Sequence, residues 1–405
     1  MSELPNEIVR IAARGDGVTR DGRHSALAAP GDLLGDDGAL SVGPHHQTPP
    51  CRHFPRCGGC QLQHVDDEAY LAYLSDRVAG ALAGQNLPPA TIRIPHLSPP
   101  KSRRRAALKA QSLGREVRIG FNEGGSHNIV DLKQCEVLAP ELFALVAPLR
   151  KLLAVLMGRR ASAGITLTLA DQGVDILLSG VTADGLEAYD SLLDFAGAHR
   201  IARLAIDSGD GPEDRWVPDP VTVTLSGVPV GLPHGAFLQA TRDGEAVLVE
   251  AVREAVGDAT TVADLFSGLG TFSFALARAE PVLAVEAARQ MVMAQQIAAN
   301  RHHADGRIGA IKVEHRDLYR RPVTAKELAA YKAVVLDPPR AGAEEQVKEL
   351  AASAVPVIAY VSCNPASFAR DAAILAAGGY RTDWIQPVGQ FRWSTHMELA
   401  ARLSR

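Results

Sequence analysis

Cys363 lies in a stretch whose pattern predicts a sharp turn between a buried strand and a helix. The apolar run 355–361 is typical of a buried strand, and residues 368–375 have the pattern of a helix. Ser362 and Asn364 favour turns and helix starts. A thiol at a helix N-terminus is a candidate nucleophile, because the helix dipole favours the thiolate. The alternative is a buried structural thiol, and the other motifs must decide between the two.

A glycine-containing loop and a following acid form a second candidate site. Residues 264–272 follow a predicted strand, and Gly268 and Gly270 let the backbone approach a ligand at a helix N-terminus. Glu286 ends the next predicted strand, 22 residues after Asp264, where an acid can accept both hydroxyls of a ribose. The alternative is a tight turn and a helix cap. Together the two motifs favour a nucleoside cofactor.

Two further carboxylates occupy places where they could do chemistry. Asp337 follows a predicted strand, and Pro338 and Pro339 stiffen the loop after it. This carboxylate could hold a cofactor or a base edge, or it could cap a helix. Glu398 falls in the last predicted strand, where a glutamate is usually exposed at an edge. If it is buried, its pKa should be raised and it could serve as a base.

Three cysteines are close together in the sequence, and one more follows a predicted hairpin. Four thiolates suit either a zinc ion or an iron–sulfur cluster, and the spacing does not decide between them. These four are Cys51, Cys57, Cys60 and Cys135.

The stretch 101–118 is the most basic part of the chain, with seven basic residues, Arg115 included, and Glu116 as the single acid. Such a stretch could track phosphates, and Phe121 and His127 could stack on an unpaired base. The alternative is an ordinary solvated face.

The composition of the 405-residue chain is that of a soluble globular protein of two or three domains, 46% hydrophobic and 22% charged. The N-terminus lacks the basic start and apolar core of a signal peptide, and no apolar run could span a bilayer. We therefore expect a cytoplasmic protein, in which five cysteines argue against a disulfide framework. A net charge of −4 means that any nucleic-acid surface must be local.

The periodicity divides the chain into three parts. Residues 1–50 show the short strands and turns of a small barrel, although a mobile arm would also fit. Residues 51–232 contain a helix over 66–83, a proline-rich linker over 86–100, and an α+β unit with two hairpins. The helix and linker could pack on the part that follows.

The third part, 233–405, has a repeating strand–helix pattern. It predicts a mostly parallel, doubly wound sheet that ends in a strand pair. The predicted strands are 262–266, 282–286, 311–315, 333–337, 355–361, 380–388 and 395–403.

These motifs together resemble the S-adenosylmethionine-dependent RNA (uracil-C5)-methyltransferases, in particular their iron–sulfur 23S rRNA branch. Residues 264–272 resemble the family's DLFCGxGNF-type motif, 337–342 its DPPRxG, 361–365 its VSCNP and 395–398 its THHVE. Residues 9–34 are similar to a shortened TRAM barrel. The resemblance implies a Rossmann-like class I methyltransferase domain, an iron–sulfur-containing RNA-binding domain, and a small OB-like N-terminal barrel.

The resemblance also assigns roles to residues. It makes Cys363 the nucleophile and Glu398 the base, and it implies that Arg340 supports its loop. Four cysteines would hold a 4Fe–4S cluster: Cys51, Cys57, Cys60 and Cys135. Six residues would bind S-adenosylmethionine: Gln239, Phe266, Thr271, Glu286, Asp317 and Asp337.

The implied reaction is methylation of C5 of a uridine in 23S rRNA, giving 5-methyluridine. The same chemistry on tRNA is one alternative, and a non-catalytic RNA-binding protein with a methyltransferase fold is another. RNA is the expected partner, with no membrane, and the chain is expected to be monomeric. The sequence departs from the family pattern at Ser267, which replaces a frequent cysteine, and at residues 390–393, which replace a DMFP-like segment. The second departure bears on how the substrate loop sits and therefore on which uridine is chosen.

Overall fold

The structure is a computed structural model that describes residues 4–114, 116–277 and 281–405. Arg115 of the basic stretch lies outside the described residues. The first part of the chain forms a three-stranded antiparallel sheet and a separate two-stranded hairpin. Closure of these strands into a barrel stays a prediction. The strands are β1 (Ile8–Ile11), β2 (Gly17–Thr19), β3 (His24–Ser25), β4 (Leu33–Leu34) and β5 (Leu40–Ser41).

One long helix and two short strands follow. The helix α1 (Asp67–Ala83) begins where predicted, because the Asp66 side chain accepts a hydrogen bond from the backbone N–H of Ala69 at 2.9 Å. The strands β6 (Thr91–Ile92) and β7 (His96–Leu97) lie in the segment for which the sequence predicts a linker.

The central unit is a seven-stranded sheet with helices packed on it. Its order is β10-β9-β8-β11-β12-β13-β14, and every pair is antiparallel except β12–β13. The pairs β9–β10 and β11–β12 confirm the two predicted hairpins. The elements are β8 (Arg105–Ser112), β9 (Val117–Asn122), β10 (Ile129–Asp131), α2 (Pro140–Ala144), α3 (Val146–Leu156), β11 (Ser162–Ala170), β12 (Gly173–Ser179), α4 (Leu186–Ala198), β13 (Arg203–Asp207) and β14 (Pro212–Trp216).

The last part alternates strands and helices as predicted. It opens with the hairpin β15 (Thr222–Leu225) and β16 (Val228–Gly231). The remaining elements are α5 (Arg242–Val256), β17 (Val262–Leu265), α6 (Thr271–Leu276), β18 (Val282–Glu286), α7 (Arg289–Ala304), β19 (Ile311–His315), α8 (Ala325–Leu328), β20 (Ala333–Leu336), α9 (Glu344–Ala352), β21 (Val357–Ser362), α10 (Pro365–Ala377), β22 (Arg381–Gly389) and β23 (Glu398–Ser404).

These strands form the large sheet that carries the site. Its order is β19-β18-β17-β20-β21-β23-β22-β6, and the first five strands are parallel. The strand β23 runs antiparallel between β21 and β22, which confirms the predicted terminal pair. The chain order reverses between β17 and β20, and such a reversal opens a crevice at the carboxyl ends of the strands.

The segment before the central unit packs on this sheet. The strands β6 and β7 pair in parallel with β22, so residues 91–97 extend the sheet edge instead of forming a free linker. On α1, Tyr70, Leu74 and Val78 are fully buried in the same core as Leu336 and Phe368. None of the helices in the described parts of the chain is both long and apolar enough to cross a membrane.

Candidate active site

A cavity of about 980 Å³ lies at the carboxyl ends of β17, β18, β20 and β21. Every residue that the sequence analysis assigns to catalysis or cofactor binding lines it. These are Gln239, Phe266, Thr271, Glu286, Asp317, Asp337, Cys363 and Glu398. The topological switch point therefore brings together side chains from positions 239 to 398 of the chain.

Cys363 lies on the tight connection from β21 to α10. The Ser362 Oγ accepts a hydrogen bond from the Asn364 N–H at 3.1 Å, and Asn364 caps α10 by accepting from Ala366 N at 3.2 Å. The thiol is half-buried and faces the cavity. This confirms the predicted turn, and the other four cysteines are buried elsewhere.

The electrostatic environment of Cys363 differs from the expectation of a favoured thiolate. Burial first, and then the neighbouring Glu398 and Asp337 carboxyls, raise the pKa of this thiol to about 11, while Arg340 opposes them. Because Cys363 lies outside the first turn of α10, the helix dipole does not outweigh the loss of hydration and the two acids. The free protein therefore holds a neutral thiol.

Glu398 is the first residue of β23 and lies opposite Val388 of β22. Its side chain is buried inside the sheet instead of exposed at an edge. Burial first, and then the charge of Asp337, hold the pKa of this carboxyl well above its usual value, whereas a hydrogen bond from Gln390 opposes the shift. Glu398 is therefore buried and has a raised pKa, as we expect of a residue that serves as the base.

The glycine loop after β17 and the end of β18 place an aromatic ring and a carboxylate at the cavity. Phe266 has a φ of +64°, a left-handed conformation that is costly for a bulky residue and clusters at functional sites. The Glu286 carboxylate accepts hydrogen bonds from Gly268 N at 3.0 Å and from Ala288 N at 2.7 Å. Glu286 thus holds the loop in place while one side of its carboxylate faces the cavity.

Gly270 fixes where α6 starts. It has a φ of +95°, and a Cβ at this position would come within 2.7 Å of both Gln295 Nε2 and a ring carbon of Phe274. Only glycine fits without a shift of these buried groups. Thr271, the first residue of α6, is thereby held at the wall of the cavity.

Two aspartates, one at the cavity wall and one behind it, carry raised pKa values. Burial and neighbouring acids raise the pKa of both Asp264 and Asp337 to about 7. Asp264 is fully buried; one carboxylate oxygen accepts from Ser273 Oγ at 2.5 Å, and the other has no hydrogen-bond partner among the described residues. Carboxyl groups that disfavour each other's charge at the wall of a cavity fit a positively charged ligand.

Asp317 and Tyr319 form the far end of the cavity. Asp317 Oδ1 accepts from the Tyr319 N–H at 3.0 Å, and the Tyr319 hydroxyl donates to Gly342 O at 2.9 Å. The rings of Tyr319 and Phe266 lie 5.6 Å apart at an angle of 57°. Two aromatic rings beside a carboxylate can hold a flat heterocycle that carries an amino group.

The loop after Asp337 is tied to the connection that carries Cys363. Arg340 O accepts from Asn364 Nδ2 at 3.2 Å and from Ser367 Oγ at 3.1 Å. The Asp371 side chain accepts from Ala343 N at 2.7 Å and therefore holds the end of the same loop. These bonds support the expectation that Arg340 holds its loop, although its side chain also lines the cavity.

Gln390 is a site residue that the sequence analysis names as a family departure without giving it a role. It is buried, and its Nε2 donates to Gln239 Oε1 at 2.7 Å and its side chain also bonds Glu398. Its Oε1 accepts from Ala240 N at 2.8 Å. Because the Gln239 oxygen is occupied, its N–H groups are left to meet an acceptor in the cavity. The only sequence signal was the departure from the family motif.

The four other cysteines line a second, smaller cavity next to the first, sharing Gly59 and Phe121 with it. All four are buried and free of disulfides. Burial raises the pKa of Cys57 and Cys135, and it raises that of Cys60 to about 12. Within residues 4–114, 116–277 and 281–405, no three His, Cys, Asp or Glu side chains stand close enough to hold a metal ion as they are placed. The fit to a cluster therefore rests on the donor set, four buried thiols at one cavity.

The basic stretch does not form one continuous surface. Arg104 is buried and paired with Glu245, and Arg103 lines the main cavity with its guanidinium 5.6 Å from the ring of Phe391. Arg118 is exposed on β9. Alternate residues of a strand point to opposite faces, so a run of basic residues is divided between core and surface.

Comparison with known proteins agrees with this geometry. Residues 232–405 match the tRNA (Uracil-5-)-methyltransferase family. An uncharacterized RNA methyltransferase of Zymomonas mobilis is 48% identical over 399 residues, which are 98% of this chain and 99% of that protein. The 23S rRNA (uracil(1939)-C(5))-methyltransferase RlmD of Chromohalobacter salexigens is 32% identical over 416 residues, covering 99% of this chain and 83% of the relative.

A solved structure has the same fold over the whole chain. The tRNA (uracil-54, C5)-methyltransferase of Pyrococcus abyssi, in complex with S-adenosyl-L-homocysteine, superposes with a TM-score of 0.76 and 22% identity, covering 100% of both chains. The fold and the cavity define a class I S-adenosylmethionine-dependent methyltransferase. The chain belongs to the RNA (uracil-C5)-methyltransferase family.

Proposed function

We propose that this protein methylates C5 of a uridine in 23S rRNA, with Cys363 as the nucleophile and Glu398 as the base. The observation that carries the proposal is their shared position: both side chains line one cavity, and the Glu398 carboxyl is close enough to raise the pKa of the Cys363 thiol. A uridine must leave its base stack to reach this cavity.

The chemistry explains why these two residue types are needed. C5 of uracil is a weak nucleophile, and addition of the Cys363 thiolate to C6 converts C4, C5 and O4 into an enolate that reacts at C5. S-adenosylmethionine supplies the methyl group from its sulfonium sulfur. Glu398 then takes the proton from C5, the C5–C6 double bond forms again, and the Cys363–C6 bond breaks to release the thiolate.

The cofactor would be held by the residues at the carboxyl ends of the strands. Glu286 suits the ribose hydroxyls, and Asp317 with Tyr319 and Phe266 suits the adenine. The buried carboxyl of Asp337 suits the positive charge. With Gln239 and Thr271, these residues make up the proposed binding set.

The choice of 23S rRNA over tRNA is supported by the RlmD relative, whose name states that substrate. The fold of the archaeal tRNA enzyme and the family match keep tRNA as the second candidate. Both RNAs should be isolated from a strain that lacks this protein and offered to the purified enzyme with labelled S-adenosylmethionine. We expect label at one uridine of 23S rRNA. Label in tRNA alone would replace the rRNA proposal.

The Cys363→Ala variant tests whether the chain is an enzyme that uses this thiol. It should bind S-adenosylmethionine as the wild type does but transfer no methyl group, because the C6 adduct cannot form. Full turnover by the variant would remove Cys363 from the mechanism. Absence of methylation by the wild type on every RNA would favour a non-catalytic RNA-binding protein.

We also propose that Cys51, Cys57, Cys60 and Cys135 hold a 4Fe–4S cluster that joins the segment 51–60 to the central sheet. Four thiolates also suit zinc, so the test is spectroscopic. Protein purified without oxygen should be brown with broad visible absorbance, and Cys135→Ser should lose this colour. Colourless protein that contains one zinc ion would overturn the assignment.

A further inference from the structure

A second large groove, of about 750 Å³, lies on the central unit, away from the active-site cavity. The loop that carries the first cysteines, the strand β9, the segment after β10 and the helix α3 form its walls. Six of its side chains are basic and two are acidic. The basic ones are Arg52, Arg56, Arg118, Lys133, Arg150 and Lys151, and the acids are Glu116 and Asp131.

The acids of the groove do not neutralise this charge. Asp131 pairs with Arg150 at 2.8 Å and with Lys133 at 2.7 Å. By contrast, Arg52, Arg118 and Lys151 are exposed and make no ion pair with any residue that the structure describes. Three free cations at one groove form a local positive site on a protein whose net charge is −4.

The same two elements of the chain line the groove and the active-site cavity. Arg52 and Arg56 line the groove, and a few residues further along the same loop Gly58 and Gly59 line the cavity. The Gly58 N–H donates to Asn122 O at 2.9 Å, which joins this loop to β9.

The strand β9 makes the same connection. Arg118 lies in the groove and Phe121 lines the cavity, three residues apart, or roughly 10 Å along a strand whose alternate side chains point to opposite faces. A polyanionic chain with one unit in the cavity would therefore reach the groove with its neighbouring units by passing around β9.

We propose that this groove binds the phosphodiester backbone of the RNA next to the target uridine. The proposal rests on the proposed function, since it takes the occupant of the cavity to be a nucleotide of that RNA. A polyanion fits better than an acidic protein surface because the groove is lined mainly by separate charges and few apolar side chains. The cysteine-bearing loop would then present Arg52 to the substrate, whereas Arg56 pairs with Glu123 at 2.5 Å.

The test is the salt dependence of RNA binding by the double variant Arg118→Gln, Lys151→Gln. The probe is a 23S rRNA fragment that contains the target uridine in its unmethylated form. Loss of two phosphate contacts should reduce the slope of log K against log salt by about 1.4 to 1.8. We expect Kd and KM for this RNA to rise at least tenfold, with kcat at saturating RNA unchanged.

A matched control removes two charges elsewhere. Lys312 lies on the edge strand β19 of the large sheet and Lys326 lies on α8. Both are exposed and make no ion pair with described residues. The variant Lys312→Gln, Lys326→Gln should bind RNA with the wild-type slope. An equal loss in both double variants would mean that only overall charge matters, and this would overturn the proposal.

A second variant guards against misfolding. Lys151→Glu changes one exposed position on α3 and should weaken RNA binding with an unchanged Tm. Wild-type affinity and slope in both groove variants would contradict the proposal. Binding of an acidic protein that is lost in both groove variants, with RNA binding unchanged, would contradict it as well. Because binding is measured without methyl transfer, a reduced slope in an inactive protein would retain the groove and reject only the proposed reaction.

Discussion

Cys363, Glu398 and Asp337 each have a raised pKa in the free protein, and burial is the first cause in all three. The Glu398 and Asp337 carboxyls also raise the pKa of Cys363, and Asp337 raises that of Glu398. A cation bound among them would lower all three values, because an opposite charge favours the ionised form. In the proposed mechanism, binding of the positively charged methyl donor would therefore favour the ionised forms of Cys363 and Glu398.

Gln390 sets the orientation of two members of the site. In Gln390→Glu, the acceptor for Ala240 N remains, but the donor to Gln239 and Glu398 is lost and a like charge is added. Loss of a hydrogen bond to a charged group is worth about 1.5–3 kcal/mol, so kcat should fall by roughly ten- to a hundredfold. The pKa of Glu398 should rise further, and the pH profile of kcat should therefore move to higher pH.

The control for this change is Gln346→Glu. Gln346 is equally buried, and its amide bonds the N–H and the carbonyl of Val323, away from the cavity. Both variants should lower Tm, but only the first should alter kcat and its pH profile. An unaltered profile in Gln390→Glu would reduce Gln390 to a purely structural role.

At the scale of elements, α1 holds the segment that leads into Glu398. The buried hydroxyl of Tyr70 donates to Ser394 O at 2.7 Å, and Arg77 donates to Thr395 O at 3.1 Å. The N–H of Leu62 donates to Trp393 O at 2.9 Å. The cavity wall between β22 and β23 is therefore positioned by residues more than 300 positions earlier in the chain.

Tyr70→Phe tests this positioning. Loss of the bond should lower the free energy of unfolding by about 0.5–1.5 kcal/mol and reduce kcat/KM severalfold, since Ser394, Thr395 and His396 line the cavity. Tyr380→Phe is the control, because its buried hydroxyl donates to Val355 O at 2.6 Å at the other end of the sheet. Equal activity of the two variants, measured by methyl transfer, would contradict the positioning role of α1.

The sequence predicted this part of the fold well where the signal was local. A strand such as β20 is covered on both faces and so is a continuous apolar run, which is visible in one window of sequence. The turn at Cys363 was equally visible from its residue types. The pairing of β6 with β22 and the bond between Gln390 and Gln239 join distant positions, and no local pattern encodes them. The burial of Arg104 could not be predicted either, because its partner Glu245 lies far along the chain in another element.

At the scale of the whole molecule, the acidic site lowers stability as pH rises. Asp264 and Asp337 have pKa values of about 7 in the folded chain against an ordinary value of 3.8. Between these values the folded state binds more protons than the unfolded state, so the free energy of unfolding falls as pH increases. The contribution is complete below about pH 4 and is lost as pH passes 7.

We therefore expect the Tm of the protein without cofactor to be higher at pH 6 than at pH 8. Asp337→Asn should flatten this dependence and raise Tm at pH 8, because the amide carries no buried charge, while binding of S-adenosylmethionine is lost. Thermal unfolding across this range, with calorimetric titration of the ligand, gives both readings. Parallel curves for variant and wild type would show that Asp337 ionises normally.

The central claim is that Cys363 adds to the uracil and Glu398 allows it to leave. The Glu398→Gln variant separates these steps, because it keeps the shape of the base and removes its ability to take the C5 proton. Incubated with substrate RNA and labelled S-adenosylmethionine, it should accumulate a methylated protein–RNA adduct that survives denaturing electrophoresis, and adding Cys363→Ala should abolish it. Normal release of methylated RNA by Glu398→Gln, or an adduct that persists without Cys363, would contradict the account.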